Sequence, residues 1–324
     1  MRVLFWPAAA LALVISAVAG IALGAVPLGL SEVAAGLMGD GDQTSVQIVR
    51  TLRAPRVALA MLVGAGLGMS GAALQGTLRN PLAEPYLLGV SGGAAVGAVV
   101  AVVLGVGGAG ALPLAAFAGA AVAIGAALLI ARAAGGRADP RVLLMAGVVI
   151  GAFANAAIMV LLANALPTTV RGAFWWMMGS VADAGWVEVR TLAVYVSIGA
   201  VALLWMSREI DVLALGGESA ASLGVDADRS ARRIYLLSAL LAAATVAAAG
   251  LVGFVGLLVP HLVRGAGIRR HRALVAGAGL VGAALVVSAD IVARTVRAPT
   301  ELPLGAVTAL IGVPFFLTQL RRLA

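Results

Sequence analysis

A chain of 324 residues with 62% hydrophobic and only 11% charged residues, and a mean hydropathy of +1.08, falls far short of the roughly 25% charge of an ordinary soluble domain. All 22 basic residues are arginine, which excludes a P-loop nucleotide site because that site needs a lysine to reach the phosphates; the lack of cysteine excludes disulfides, thiolate metal sites and thiol nucleophiles. A net charge of +8 would suggest nucleic acid in a soluble protein, but arginines in short loops between apolar runs are what sets orientation in a bilayer. The expected partner is therefore a lipid bilayer and not nucleic acid.

Charge-free runs follow one another at 4–30, 57–78, 86–131, 142–170 and 234–263, and about 20 apolar residues suffice to cross the hydrocarbon layer. The first run holds 27 residues, too long for the 7–15-residue apolar stretch of a secretory signal, and is read as the first span. Run 86–131 would make a helix of about 69 Å, enough to cross twice, with Gly105, Gly107, Gly108, Gly110 and Pro113 supplying the break. Run 234–263 permits two readings: one tilted helix, or one helix and a shorter partner hinged around Gly250 and Gly253.

Arginine placement separates these readings. With two crossings there, 15 arginines (Arg2, Arg79, Arg132, Arg137, Arg141, Arg208, Arg229, Arg232, Arg233, Arg264, Arg269, Arg270, Arg272, Arg321, Arg322) lie on the cytoplasmic side against 7 outside; with one crossing the two sides hold 11 each. The expectation is an all-α, polytopic integral membrane protein with ten transmembrane helices and both the N- and C-termini cytoplasmic. Expected spans are 4–30, 55–78, 86–106, 112–132, 141–164, 188–207, 231–250, 252–268, 273–293 and 303–320. Residues 1–324 read as one membrane domain, with a polar segment at about 209–230.

Two strings imitate catalytic motifs. Gly66-Leu67-Gly68-Met69-Ser70-Gly71 matches a dinucleotide fingerprint, but that chemistry needs a strand, a turn and a helix N-terminus, whereas this string lies inside span two and reads as helix packing. Gly89-Val90-Ser91-Gly92-Gly93 matches a nucleophile elbow, which needs a strand-to-helix turn with histidine and acid partners; only His261 and His271 exist, and a helix break is expected.

The polar clusters at span ends say more. Arg50, Arg53 and Arg56 precede span two on the expected outer face, and Arg294 and Arg297 lie on the same face. They could recruit an acidic partner, or snorkel to headgroups, with Asp290 pairing with Arg294 four residues on. On the inner face, residues 209–233 form the longest polar interruption, and 213–224 reads as two short helices broken at Gly216 and Gly217. Such a pair could fill a groove on a cytosolic partner or be a solvated connector.

In order and spacing these segments resemble the FecCD-type permeases, the membrane subunits of type II ABC importers for iron-siderophores, haem and cobalamin. The resemblance is carried by Leu52-Arg53-Ala54-Pro55-Arg56; by Gly71 through Gln75 with Arg79-Asn80-Pro81-Leu82-Ala83, Pro85 and Leu88-Gly89; and by Trp176-Met177-Met178-Gly179-Ser180. It continues through Leu215-Gly216 to Leu223-Gly224, Gly253-Phe254-Val255-Gly256-Leu257 with Pro260-His261 and Arg264, and Asp290, Arg294 and Glu301-Leu302-Pro303-Leu304-Gly305.

The resemblance implies a non-catalytic transport subunit that pairs with a second permease copy or a sister permease around a central pathway. Two cytosolic ATPase subunits, which would carry ATP and Mg, are implied to dock on Asp211, Leu213, Ala214, Leu215, Gly216 and Gly217, continuing through Glu218, Ser219, Leu223 and Gly224. No cofactor is implied for this chain. An extracytoplasmic substrate-binding protein is implied to contact Arg53, Arg56 and Arg294, and Gln75, Arg79, Asn80, Pro81, Gly89, Pro260 and His261 to lie near the pathway. The implied cargo is a metal chelate, ferric siderophore first and haem or cobalamin next, and the implied location the bacterial cytoplasmic (inner) membrane. The competing class is an ion-coupled secondary transporter acting without an ATPase. Such proteins carry ionisable relays inside their spans, whereas here Glu84 and Asp290 lie near predicted ends.

Overall fold

The computed structural model describes residues 2–106, 110–133 and 140–320. Among them every regular element is helical. The chain opens with α1 (Arg2–Ala22), α2 (Leu30–Met38) and α3 (Gln43–Gln47), then a π-helical turn (Ile48–Arg53) feeding α4 (Ala54–Thr77). A 3₁₀ turn (Pro85–Leu88) precedes α5 (Val90–Val103), α6 (Ala111–Ala133), α7 (Pro140–Leu162), α8 (Pro167–Met177) and α9 (Trp186–Trp205). Two short helices, α10 (Ser207–Leu213) and α11 (Gly217–Ser222), lead to α12 (Ala227–Ala249), α13 (Val255–Gly265), α14 (His271–Thr295) and α15 (Leu304–Leu320).

Among the described residues, seven helices are long and apolar enough to cross a membrane, and three shorter apolar ones, α5, α13 and α15, stand where the other expected spans were placed. At 1.5 Å per residue, the 11 residues of α13 reach only about 16 Å, roughly half of the hydrocarbon layer. Non-helical backbone at such depth persists only where protein satisfies it, and the segments before α5 and α13 are held in that way, as described below. The disputed run 234–263 forms two helices. The first span is shorter than expected, α1 ending at Ala22, while α2 and α8 are elements the charge-free runs did not announce. The terminal arginines Arg321 and Arg322, and Arg137, lie outside the described residues.

The centre of the bundle is α4, with 78% of its apolar window buried, against 17% for α1. Glycine makes that centrality possible. A Cβ on Gly64 would stand 2.1 Å from the Gly282 carbonyl oxygen, and one on Gly68 would stand 2.3 Å from that of Ala278. Two small residues four apart on α4 thus meet two small residues four apart on α14, the close backbone approach that drives helix association where lipid removes the hydrophobic incentive. The same device joins α5 to α6 through Gly93 and Gly97 against Gly119 and Ala115. The Gly66–Gly71 string therefore serves packing, as its position inside a helix predicted. Gly64→Val is expected to lower the melting midpoint of the detergent-solubilised protein by several degrees, since overpacking costs about 1–3 kcal/mol or more. Gly125→Val, with nothing within 4 Å of its Cβ position, is expected to leave the midpoint unchanged, and equal midpoints for the two variants would refute this packing account.

Candidate functional site

Three side-chain constellations are built on α4 and α14. The first brings together Arg53, Arg56 and Arg294, the residues implied to contact a binding protein, and engages each differently. Arg56 donates from Nε to both oxygens of Asp290 (3.0 and 3.1 Å) and from Nη2 to Asp290 Oδ1 (2.8 Å). Its remaining donors grip Glu301, Nη1 on Oε1 at 2.7 Å and Nη2 on Oε2 at 2.8 Å. Arg294 Nε stands 3.2 Å from Asp290 Oδ2, an ion pair at the i,i+4 spacing, while its Nη2 donates to Gly20 O at 2.5 Å.

Arg53 takes no carboxylate: Nη1 donates to Ile21 O (2.8 Å) and Ala22 O (2.9 Å), and Nη2 donates to Val26 O. These are carbonyls at and just beyond the last turn of α1, which a cation suits because they carry the negative end of the helix dipole. Arg50 does the same for α2, donating to Gly36 O (3.1 Å) and Leu37 O (2.8 Å). Pro55, following the π turn, has no N–H. The Arg50 carbonyl five residues earlier accepts instead from Trp186 Nε1 at 2.9 Å.

Asp290 is 1% exposed, and Arg53 and Arg294 are 7% exposed; Glu301 is the accessible member, its side chain 38% exposed. Hydrogen bonds from Arg56 hold the Glu301 carboxyl below the usual carboxylate range, against the opposing effect of partial burial. The pair is therefore complete at neutral pH and is lost as pH falls through that lowered value.

The second constellation centres on Gln75 and Pro260, two of the residues implied to lie near the pathway. Pro260 sits inside α13, and its missing N–H leaves the Gly256 carbonyl, four residues back, without a helical partner. Gln75 from α4 fills the vacancy, Nε2 donating to Gly256 O (3.2 Å) and Leu257 O (3.3 Å), while its Oε1 accepts from Arg264 Nη1 at 2.5 Å. The helices come that close because position 71 is glycine: a Cβ there would stand 2.0 Å from Gly256 O. At this same N-terminal end of α13, Phe254 N donates to Glu84 Oε1 (2.7 Å) and, just before it, Val252 N to the Tyr86 hydroxyl (2.8 Å). The break between α12 and α13 is thus supplied with acceptors by the turn after α4.

In that turn Arg79 adopts a left-handed conformation (φ +50°), and bonds from Arg79 N to Gly76 O and Asn80 N to Gln75 O close α4, a pattern that ordinarily uses glycine. Asn80 Oδ1 accepts from Leu82 N at 2.9 Å across Pro81, and Gly89 (φ +81°) starts α5. His261 lies apart on α13, edge-on to Phe315 of α15 at 6.4 Å.

The third constellation is the helix pair expected at 213–224. α10 and α11 flank the link 214–216, where Gly216 has φ +116° and ψ 158°. Asp211 anchors the pair, its Oδ1 accepting from His271 N (3.0 Å) and lying 2.7 Å from His271 Nδ1, so a carboxylate sits at the N-terminal, electropositive end of α14. Leu213 is buried, and Gly216 faces the Arg79 guanidinium, whose Nη1 would lie 3.3 Å from a Cβ. Leu215 and Leu223 are 67% and 59% exposed, and Ala214, Gly217, Glu218, Ser219 and Gly224 are also exposed. Sequence reasoning missed the roles of His271, Glu84, Tyr86 and Glu301; Glu301 and the break around Gly253 stood in quoted motifs, but nothing in spacing announced their partners.

The first and third constellations lie at opposite ends of α14. Asp290 and His271 are separated by about 28 Å along a helix, close to one hydrocarbon thickness. An all-helical, multi-pass membrane protein with one charged cluster and one exposed helix pair at the two ends of the same central helices has the architecture of a transport permease.

Comparison with known proteins agrees. The FecCD transport family model matches residues 12–322. The chain is 44% identical over 280 residues to the cobalamin import system permease protein of Halobacterium salinarum, covering 86% of this chain and 74% of that one. It is 38% identical to the hemin transport system permease protein of Yersinia pestis (84% and 82% covered), and 34% identical to an Fe(3+)-citrate import system permease protein of Bacillus subtilis (96% and 93%). Among solved structures it is similar to a metal-chelate type ABC transporter in an inward-facing conformation, with a TM-score of 0.88, 28% identity and coverage of 99% and 100%. The chain belongs to the FecCD transport family, the membrane permease subunits of type II ABC importers.

Proposed function

We propose that this chain is the gated conduit of an ATP-driven importer that carries a bulky metal chelate from an extracytoplasmic binding protein into the cytoplasm by alternating access. The carrying observation is the placement of the arginine cluster and the α10–α11 pair at the two ends of α4 and α14. A binding protein docks at the Arg56 end; two ATPase subunits, which hold the ATP and Mg, seat the exposed Leu215 and Leu223 of the helix pair. The arginine tally supports ten crossings of the bacterial cytoplasmic membrane with both termini inside, the three shorter helices completing the seven long ones. A second permease copy packs beside α7, where Asn155 is exposed midway along an apolar helix together with Phe153 and Met159; a polar side chain at that depth belongs against protein or water.

The relatives' cargoes make cobalamin, haem and a ferric chelate the set to test: the ferric siderophore comes first as the commonest cargo of the family, and the 44% identity to a cobalamin import permease supports testing a corrinoid beside it. Proteoliposomes holding the permease, its ATPase and its binding protein are expected to accumulate one of the three labelled chelates only with internal ATP. Accumulation by the permease without the ATPase would refute this reading in favour of an ion-coupled transporter.

A further inference from the structure

The arginine cluster floors a groove of about 320 Å³ lined by Arg53, Arg56, Arg294, Leu52 and Pro299, with Glu301 as its one lining carboxylate. Each guanidinium nitrogen of Arg56 donates to Asp290 or Glu301. Asp290 lies beneath, its side chain 2% exposed, whereas that of Glu301 is 38% exposed. Arg53 turns Nη1 to the Ile21 and Ala22 carbonyls and Nη2 to the Val26 carbonyl, and Arg294 is engaged by Gly20 and Asp290. An acidic side chain arriving from outside therefore finds three guanidinium groups with one accessible bond to exchange, that between Arg56 and Glu301.

We infer that Glu301 is a place-holder in this groove: it occupies the position that a carboxylate of the docking protein takes on Arg56, and docking proceeds by exchange of one for the other. The inference rests on the proposed docking face and deepens it. Exchange keeps the number of ion pairs constant, so the buried guanidinium is never left alone, the outcome that makes breaking a buried pair costly. It also frees the segment that carries Glu301. That segment ends at Leu304 and Gly305, whose amides donate to Gly179 O and Met178 O (both 3.1 Å), and together with Trp176, Ser180 and Gly250 it lines the neighbouring cleft of about 530 Å³. Docking at Arg56 is in this way connected to the mouth of that cleft and to the first turn of α15.

The test measures binding-protein affinity for the assembled permease–ATPase complex in nanodiscs. Glu301→Gln, which keeps the shape and removes the charge, is expected to tighten docking about tenfold by removing the competitor. Arg56→Gln is expected to weaken docking by at least about tenfold, and the double variant to match Arg56→Gln alone, because the gain acts through Arg56. As a second readout, the chain has no cysteine, so Thr300→Cys gives a single maleimide site, and its labelling rate is expected to rise about threefold or more when the binding protein is added, as the segment is released. Unchanged or weaker docking of Glu301→Gln, or an unchanged Thr300→Cys labelling rate, overturns the exchange while leaving the docking face intact. Normal docking of Arg56→Gln instead removes the docking face itself. Should Glu301→Gln fail to assemble with the ATPase, Glu301→Asp, which shortens the reach and keeps the charge, is expected to tighten docking to a smaller degree, and no tightening overturns the inference.

Discussion

Asp290→Ala is expected to destabilise the protein more than any other single change at the arginine cluster, by about 3–5 kcal/mol, the cost of breaking a buried ion pair by removing one partner. Asp290 is 1% exposed and holds two guanidinium groups. Its loss leaves Arg56 with Glu301 alone and Arg294 with a single backbone carbonyl. The melting midpoint of the detergent-solubilised protein measures this directly, and Glu301→Gln is the internal comparison. That change is expected to cost only about 0–1 kcal/mol, as for an exposed pair, since its carboxylate is more than one-third exposed. Adding Arg294→Leu to Asp290→Ala should recover part of the loss by withdrawing one uncompensated charge. If Asp290→Ala melts within a degree of the parent protein, the guanidinium groups draw their compensation from elsewhere and Asp290 is not the keystone.

Gly216→Val is expected to separate ATP hydrolysis from uptake. At φ +116° and ψ 158° the residue occupies a region open essentially to glycine alone, so a β-branched side chain costs about 1–3 kcal/mol in backbone strain. A Cβ would also press on Arg79 Nη1 at 3.3 Å, displacing the guanidinium that meets the α10–α11 link from the turn after α4. Strain of that size shifts a two-state equilibrium about tenfold or more. Uptake by reconstituted complexes should fall by about that factor, with ATP hydrolysis retained. Gly217→Ala, next in sequence but with nothing within 4 Å of its Cβ position, should leave both activities near their starting values. Full coupling in Gly216→Val would show that this link does not transmit the ATPase stroke.

Much of this fold was legible in composition, because an apolar run long enough to cross a bilayer admits few structures other than a helix. What escaped were short elements whose signals are local. Pro167 at the first position of α8 marked a new helix inside a charge-free run, and Glu32, which accepts from Gly29 N at 2.7 Å, announced α2 by a capping interaction that hydropathy does not register. The sites divide in the same way. Asp290 and Arg294 could be paired from their spacing of four, but Arg56 is 234 residues from Asp290 and 245 from Glu301, and no periodicity links such positions. Pro260 likewise declared that a carbonyl in α13 would be freed, without saying that Gln75 would satisfy it. The resemblance grouped Arg53, Arg56 and Arg294 as equals, whereas the structure gives Arg53 to α1 carbonyls and reserves the carboxylates for the other two.

The suspension of α13 has a mechanical consequence. Its first turn hangs from Gln75 through carbonyls and its N-cap from Glu84 and Tyr86 through amides, and Arg264 in its last turn reaches the same Gln75, so this half-length rod is moored by side chains and continues into no longer helix at its N-terminal end. It can slide or tilt with its moorings without unwinding a single turn, so rearranging it exchanges a handful of swivelling contacts and avoids the far larger cost of bending a rod that spans the whole bilayer.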